Sequence, residues 1–83
     1  MNVTLKLYAS LSDYLPVAAR HNQVEVELPD GATVGGVIER YQLPPKLTHL
    51  VLVNGVFVPP DARATALLHD GDQLAVWPPI AGG

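Results

Sequence analysis

Hydrophobic and polar residues alternate along two segments in the first third of the chain. Residues 3–8 place valine or leucine at every second position, with polar residues or Tyr8 between them. Residues 24–28 repeat this pattern, and their intervening positions are glutamates. A period of two residues is typical of a strand that buries one face. The pattern therefore predicts two strands, which we expect to pair antiparallel.

A helical period replaces the alternation in the middle of the chain. Four apolar residues recur at i, i+3, i+4 and i+7, namely Val34, Val37, Ile38 and Tyr41. This spacing forms one apolar stripe along a helix, and the stripe must lie against the sheet. Thr33 precedes it and can cap the helix through its hydroxyl group, while Pro44-Pro45 ends the helix.

Gly35 and Gly36 lie within this predicted helix. Each glycine disfavours a helix by about 1 kcal/mol relative to alanine. We expect close approach of the helix to the sheet as the compensation, because a residue without Cβ lets two backbones come together. A phosphate-binding loop is not favoured, since the wider glycine pattern of such loops is absent.

The second half of the chain predicts further strands separated by turns. Residues 50–53 and 56–58 are apolar and flank Asn54-Gly55, the pair that best tolerates positive φ in a hairpin. Asp70-Gly71-Asp72 predicts another turn, and residues 73–77 a last alternating strand. This order predicts an α+β fold, a mixed sheet with one main helix packed across one face.

The length of 83 residues allows a single domain with one core. Hydrophobic residues make up 48% of the chain, which favours a folded domain over disorder. We expect the following residues to form the core: Val3, Leu5, Leu7, Val24, Val26, Leu28, Val34, Val37, Ile38, Tyr41, Leu74 and Val76.

The charge of the chain argues against nucleic acid as a partner. Five basic residues are scattered, and eight acidic residues give a net charge of −3. A phosphate-binding footprint is therefore missing, whereas a protein with a basic surface suits this charge, as does simple solubility. No apolar segment is long enough for a bilayer or a secretory signal. We expect no membrane association and a cytoplasmic location.

Residue types that carry catalysis form no recognisable cluster. The chain has no cysteine, which excludes a disulfide, a thiolate nucleophile and a cysteine-ligated metal site. His21, His49 and His69 have no spacing typical of a metal site. Asp70 and Asp72 flank a glycine, where aspartate commonly accepts hydrogen bonds from turn N–H groups. We expect no catalytic residue, no metal site and no cofactor in this chain.

The last residues of the sequence have the features of an extended tail. Pro78-Pro79 stops strand pairing, and six extended residues reach at most about 20 Å. Two glycines without Cβ can enter a narrow channel and bring a carboxylate to a buried reaction centre. A frayed terminus is the alternative. We expect a domain over residues 1–77 and a flexible tail over residues 78–83, formed by Pro78, Pro79, Ile80, Ala81, Gly82 and Gly83.

Tyr8 and Trp77 alternate away from the predicted core. We therefore expect both aromatic residues on the outer sheet face, with Trp77 facing solvent beside the tail. An aromatic residue in that place is the kind of anchor that dominates protein interfaces. The alternative is a tryptophan packed on the sheet.

The chain resembles the family of ubiquitin-like sulfur carriers, which includes the molybdopterin synthase small subunit and the thiamine-pathway sulfur carrier and shares the β-grasp fold of ubiquitin. The resemblance covers nearly the whole chain. Its specific part is the ending, in which a turn before the last strand, two prolines after it and two final glycines match the family: Asp70-Gly71-Asp72, Pro78-Pro79 and Gly82-Gly83. Residues 30–34 and the turn at Val53-Asn54-Gly55 match more loosely.

This resemblance implies a function for Gly83. In the family, a ubiquitin-activating-type enzyme uses ATP to adenylate the last glycine, and sulfur then replaces AMP to give a thiocarboxylate. In molybdopterin synthase the loaded tail enters the large subunit and delivers sulfur to cyclic pyranopterin monophosphate, so the catalytic side chains belong to the partner. The Pro-Pro ending resembles the molybdopterin branch more than the thiamine branch.

Other functions fit the same ending. The chain could carry sulfur for thiamine, for tRNA thiolation or for another pathway. A ubiquitin-like modifier, joined through its last glycine to lysines of target proteins, is a further alternative, as is a β-grasp interaction module with an inert tail. Trp77 and the loop of residues 10–22 depart from the family pattern, so the partner is less defined than the fold.

Overall fold

A computed structural model describes residues 1–16 and 19–79. Short 3₁₀ turns at Ala9–Tyr14, Pro45–Leu47 and Pro60–Ala62 join the main elements. Those elements are β1 (Asn2–Leu7), β2 (Gln23–Glu27), α1 (Val34–Arg40), β3 (Leu50–Val53), β4 (Val56–Phe57) and β5 (Gln73–Trp77). The predicted order of two strands, one helix and three strands is confirmed.

The strands form one mixed sheet in the order β2-β1-β5-β3-β4. β1 pairs antiparallel with β2, as predicted, with Val3 opposite Val26. β1 also pairs with β5, and this pair is parallel, with Leu5 opposite Leu74. A parallel pair needs a crossover connection, and the segment containing α1 provides it. The middle strand, β5, and its neighbour β1 therefore come from distant parts of the chain.

One core lies between the sheet and α1. Most of the predicted core residues are buried, whereas Val24, Ile38 and Tyr41 are only partly buried and pack at its margin. Further buried residues were not predicted, because they lie in 3₁₀ turns, loops or short strands without a clear period: Leu11, Leu43, Val51, Val58 and Leu68. The interior is therefore wider than the periodic segments indicate.

The start of α1 confirms one prediction and corrects another. The Thr33 hydroxyl accepts a hydrogen bond from the Gly36 N–H at 3.1 Å, which is the predicted cap. The expectation that the helix glycines approach the sheet is wrong. A Cβ at Gly35 would lie 3.1 Å from both the Ala64 Cα and the Arg63 carbonyl oxygen, so the helix approaches a loop instead. Gly36 is exposed.

The predicted hairpin turn is also present. Asn54 and Gly55 have φ of +50° and +83°, the left-handed values that favour this pair. They connect β3 and β4, whose register places Leu52 opposite Phe57. In the described part of the chain, no helix is long and apolar enough to cross a membrane.

Candidate docking face and tail base

Alternation along the strands decides which residues face away from α1. Leu7 of β1 and Val76 of β5 are buried in the core, so their neighbours Tyr8 and Trp77 point to the opposite side of the sheet. The Tyr8 N–H donates to the Val76 carbonyl oxygen at 3.1 Å, which continues the parallel pairing beyond the end of β1. Both aromatic residues therefore lie on the outer side of the sheet, as predicted, and the structure places them side by side on adjacent strands.

The two rings stack. Their centroids are 4.2 Å apart and their planes differ by 4°. Trp77 is half-buried as a result, so it faces solvent only in part and also packs on the sheet, as the alternative expects. The residue belongs to a central strand, and its neighbour on β1 covers one face of the indole. Stacking fixes the ring beside the point where the chain leaves the sheet.

Three further apolar residues extend this surface along β3 and β4. Leu50 is 36% exposed and Phe57 is 51% exposed, while Leu52 between them is half-buried. We call Tyr8, Leu50, Leu52, Phe57 and Trp77 the outer face. Contiguous exposed apolar side chains on a small protein make this surface a candidate for docking. Sequence reasoning missed the β3 and β4 members, although the unbroken apolar run of residues 50–53 indicates a strand with no water-facing side.

Two acidic residues of β2 lie on the same side of the sheet as the outer face. Glu25 and Glu27 alternate with the core residue Val26, so both point to the same side of the sheet as Tyr8. Lys6 lies between them and the apolar residues, and its ammonium group donates to the Gln73 side chain at 2.9 Å. This side of the sheet therefore carries the apolar residues toward the tail base and the two glutamates toward the opposite end, with Lys6 between them.

The base of the tail comes directly after β5, next to the outer face. β5 ends at Trp77, and Pro78-Pro79 lie outside any strand, with Pro78 half-buried and Pro79 exposed. The His49 N–H donates to the Trp77 carbonyl oxygen at 3.1 Å, which holds the last residue of the strand. Ile80, Ala81, Gly82 and Gly83 lie outside the described residues, so the roles given to them stay predictions.

A buried arginine lies close to this tail base. Arg63 is 8% exposed, and its guanidinium donates to the backbone carbonyl oxygens of Val58, Thr48 and His49. Burial lowers the pKa of Arg63. No periodic pattern surrounds this residue in the sequence, and nothing there distinguishes it from a surface arginine. Sequence reasoning therefore missed it.

The residues considered for metal binding and catalysis have other surroundings. His21, His49 and His69 are exposed, and the described residues hold no group of three histidine or acidic side chains suited to a metal ion. Asp70 accepts from the Asn2 N–H at 2.7 Å. Asp72 accepts from the Asn54 side chain and from the His69 N–H, both at 2.8 Å. The two aspartates therefore have the structural roles expected of turn residues.

The comparison with protein families is decisive for the class of the chain. The model of the ThiS family matches residues 6–83, nearly the whole length. The chain therefore belongs to the ThiS family. Among curated protein sequences, none matches it significantly.

Solved structures with the same fold agree. The chain is similar to SAMP1, the small archaeal modifier protein 1 of Haloferax volcanii, with 25% identity and a TM-score of 0.70 over 100% of both chains. It is similar to the putative molybdopterin converting factor subunit 1 of Pyrococcus furiosus, with 26% identity and a TM-score of 0.69 over 95% of this chain and 98% of the other.

A third structure shows the fold alone. It is the complex of subunits 1 and 2 of the molybdopterin-converting factor from Helicobacter pylori, with 14% identity and a TM-score of 0.61 over 100% of both chains. Together the comparisons confirm the ubiquitin-like β-grasp fold and the resemblance to small sulfur carriers and modifiers. The chain is a small ubiquitin-like carrier by family.

Proposed function

We propose that this chain is a cytoplasmic sulfur carrier that works as the small subunit of a molybdopterin synthase, with sulfur held as a thiocarboxylate on Gly83. The observation that carries the proposal is the family match, which extends through the final glycines. The similarity to subunit 1 of a molybdopterin converting factor supports the choice of pathway. The tail base supports it further, because the chain leaves the sheet beside an exposed apolar face.

The chemistry needs only a carboxylate from this chain. One carboxylate oxygen of Gly83 attacks the α-phosphorus of ATP, pyrophosphate leaves, and an acyl-adenylate remains. A hydrosulfide equivalent supplied by a partner then attacks the acyl carbon, and AMP leaves with the bonding electron pair. The adenylating enzyme and the large subunit provide the catalytic side chains, whereas this chain provides reach and a narrow end at Gly82-Gly83.

The outer face is the proposed docking surface for both partners. Its stacked Tyr8–Trp77 pair and exposed Phe57 supply apolar contact area, and Glu25 and Glu27 favour a partner with basic residues around an apolar pocket. The Helicobacter pylori structure joins subunit 1 to subunit 2, which supports a large subunit as one partner. A ubiquitin-activating-type adenylating enzyme is the other. One surface used in turn keeps activation and delivery separate.

Intact mass spectrometry tests the proposal. Incubation with the adenylating enzyme, ATP and a sulfide donor should add roughly 16 Da, the difference between oxygen and sulfur in the product of acyl activation. The matched controls are the chain without Gly83 and the chain with one residue added after it, which should fold normally and gain nothing. A wild-type protein that never acquires this mass, or a shortened chain that still does, would rule the carrier function out.

A second candidate function is protein modification. The similarity to SAMP1 extends over the whole of both chains, and that protein is a small archaeal modifier. In this case a target lysine would attack the acyl-adenylate and form an isopeptide bond. Species of higher mass in cells, lost on removal of Gly83, would support this function. If the chain instead carries sulfur for thiamine, tRNA or another acceptor, Gly83 should still gain the thiocarboxylate. A molybdopterin synthase large subunit should then not accept that sulfur.

A further inference from the structure

Arg63 is an unusual residue for the interior of a small domain. Among the described residues it is the one charged side chain that is buried, at 8% exposure. A buried charge is costly unless other groups compensate it. Here the compensation comes from backbone carbonyl dipoles, since no carboxylate in the described part of the chain lies within ion-pair distance of Arg63.

The three hydrogen bonds of Arg63 join separate segments of the chain. Nε donates to the Val58 carbonyl oxygen at 3.1 Å, just after β4. Nη1 and Nη2 donate to the carbonyl oxygens of Thr48 and His49 at 2.7 Å and 3.1 Å, just before β3. The shortest bond is therefore the one to Thr48.

That short bond leads directly to the tail base. The peptide group between Thr48 and His49 accepts from Arg63 through its oxygen and donates to the Trp77 carbonyl oxygen through its N–H, at 3.1 Å. A cation at the oxygen of a peptide polarises the group and strengthens its N–H as a donor. The Arg63 guanidinium is thus connected to the Trp77 carbonyl group through one intervening peptide group, the one between Thr48 and His49.

Local sequence explains how Arg63 reaches this place. It follows the 3₁₀ turn Pro60–Ala62, and its carbonyl oxygen accepts from the Gly35 N–H at 2.8 Å. A Cβ on Gly35 would lie 3.1 Å from that oxygen, so a glycine at this helix position permits the contact. The backbone of Arg63 is thereby fixed on α1, while its side chain extends toward β3.

We propose that Arg63 is a positioning residue for the C-terminal tail, because it holds the Thr48–His49 peptide that fixes the carbonyl group of Trp77. The inference rests on the proposed function, in which the tail carries the reacting carboxylate. A fixed exit restricts the directions in which the tail leaves the outer face. Binding of the outer face to a partner and placement of Gly83 in that partner's reaction centre are then separate properties. Arg63 controls the placement of Gly83.

The test compares Arg63→Lys with Leu68→Val. Lysine keeps the charge but lacks the planar fork needed for three carbonyl contacts. Leu68 is 3% exposed and belongs to the core, and its N–H donates to the Ala32 carbonyl oxygen at the start of the α1 segment, so its variant loses stability without changing a residue of the tail base. The hydrogen-exchange rate of the His49 backbone amide is measured in both variants. Each rate is corrected for the variant's free energy of unfolding. The amide should exchange about tenfold faster in Arg63→Lys, as expected for one weakened charge-assisted hydrogen bond.

Kinetics of activation provide the functional readout. With the adenylating enzyme, Arg63→Lys should keep its KM within about twofold and lose about tenfold in kcat, since docking is intact but the carboxylate reaches the reaction centre less often. Leu68→Val should keep both constants. An unchanged kcat in Arg63→Lys, a rise in KM alone, or equal losses in the two variants would overturn the inference.

Two further outcomes separate the inference from the proposed function. If wild-type protein is never activated, the carrier function fails, and His49 exchange alone decides whether Arg63 holds the tail base. If Arg63→Lys does not fold, the scalar coupling across the hydrogen bond between His49 nitrogen and Trp77 carbonyl carbon is measured in wild-type protein. Its presence supports the connection, and its absence overturns it.

Discussion

Asp72 joins two turns through one carboxylate. Its oxygens accept hydrogen bonds from the Asn54 side chain in the β3–β4 hairpin and from the His69 N–H in the turn before β5. Burial acts to raise the pKa of Asp72, but the hydrogen bonds from Asn54 and His69, with the nearby His69 ring, outweigh it and hold the pKa below its usual value. The ionised form is therefore the one that stabilises the fold.

Replacement of Asp72 by asparagine should change how stability depends on pH. Since the folded pKa is lowered, the contribution of Asp72 is complete above the unfolded pKa of about 3.9 and is lost as pH falls through the folded value. Asp72→Asn should lower the free energy of unfolding at pH 7 and flatten its decline below about pH 4. Urea unfolding at a series of pH values measures both.

Asp13→Asn is the control for this experiment. Asp13 is exposed, so its loss should leave the stability curve nearly unchanged. If the two variants have the same pH dependence, the carboxylate of Asp72 does not stabilise the turns. The structural role of this aspartate was predicted from its place beside Gly71, because turn chemistry is local in sequence.

At the scale of elements, the two helix glycines differ in their surroundings. A Cβ at Gly35 would meet backbone atoms of Arg63 and Ala64 at 3.1 Å, whereas a Cβ at Gly36 would meet only the Thr33 hydroxyl, at 3.3 Å. Backbone atoms can move away from an added Cβ less readily than a side chain can. Gly35→Ala should therefore destabilise the protein by about 1–3 kcal/mol despite better helix propensity.

Gly36→Ala is the matched comparison, because it gains the same helix propensity without a backbone contact. Thermal unfolding of the two variants should place Gly35→Ala below Gly36→Ala in stability. An equal or reversed order would mean that the loop carrying Arg63 moves freely away from α1. The contact between Gly35 and Arg63 would then not fix the position of Arg63 relative to the tail base.

Elements with a period were predictable from sequence, and contacts between distant segments were not. Alternation assigned Val3 and Val26 to one face, and the helical stripe assigned Val34 and Val37, because a period reports directly which side is buried. The parallel pairing of β1 with β5 was not predicted. An alternating pattern shows which face of a strand is buried, but it does not show which strand lies next to it. Arg63 was missed for the same reason, as its three acceptors lie in other segments.

For the whole molecule, the outer face offers a paired test of docking. Phe57 lies on that face and is 51% exposed, whereas its neighbour Val56 is 68% exposed and points to the opposite side of the sheet. Phe57→Ser should weaken binding to the adenylating enzyme and to the large subunit by about tenfold or more, as expected for an aromatic anchor. Val56→Ser should bind normally.

Titration calorimetry with each partner measures these affinities, and thermal unfolding verifies that both variants fold. Trp77→Ala is a less direct test, because it also removes the stack with Tyr8. Equal affinities for the two serine variants would place the docking surface elsewhere on the molecule. A loss toward one partner only would mean that the two complexes use different surfaces.

The parallel pairing of β1 with β5 also has a consequence for biosynthesis. Lys6 and Gln73 are 67 positions apart, yet they lie on neighbouring strands in the interior of the sheet, β1 and β5. Pairing across such a separation is slow and needs both strands to be present. A nascent chain interrupted before β5 lacks the middle of its sheet and exposes strand edges and apolar surface to the quality-control machinery of the cell. Every copy that reaches the folded state has therefore been translated at least as far as the exit of the tail.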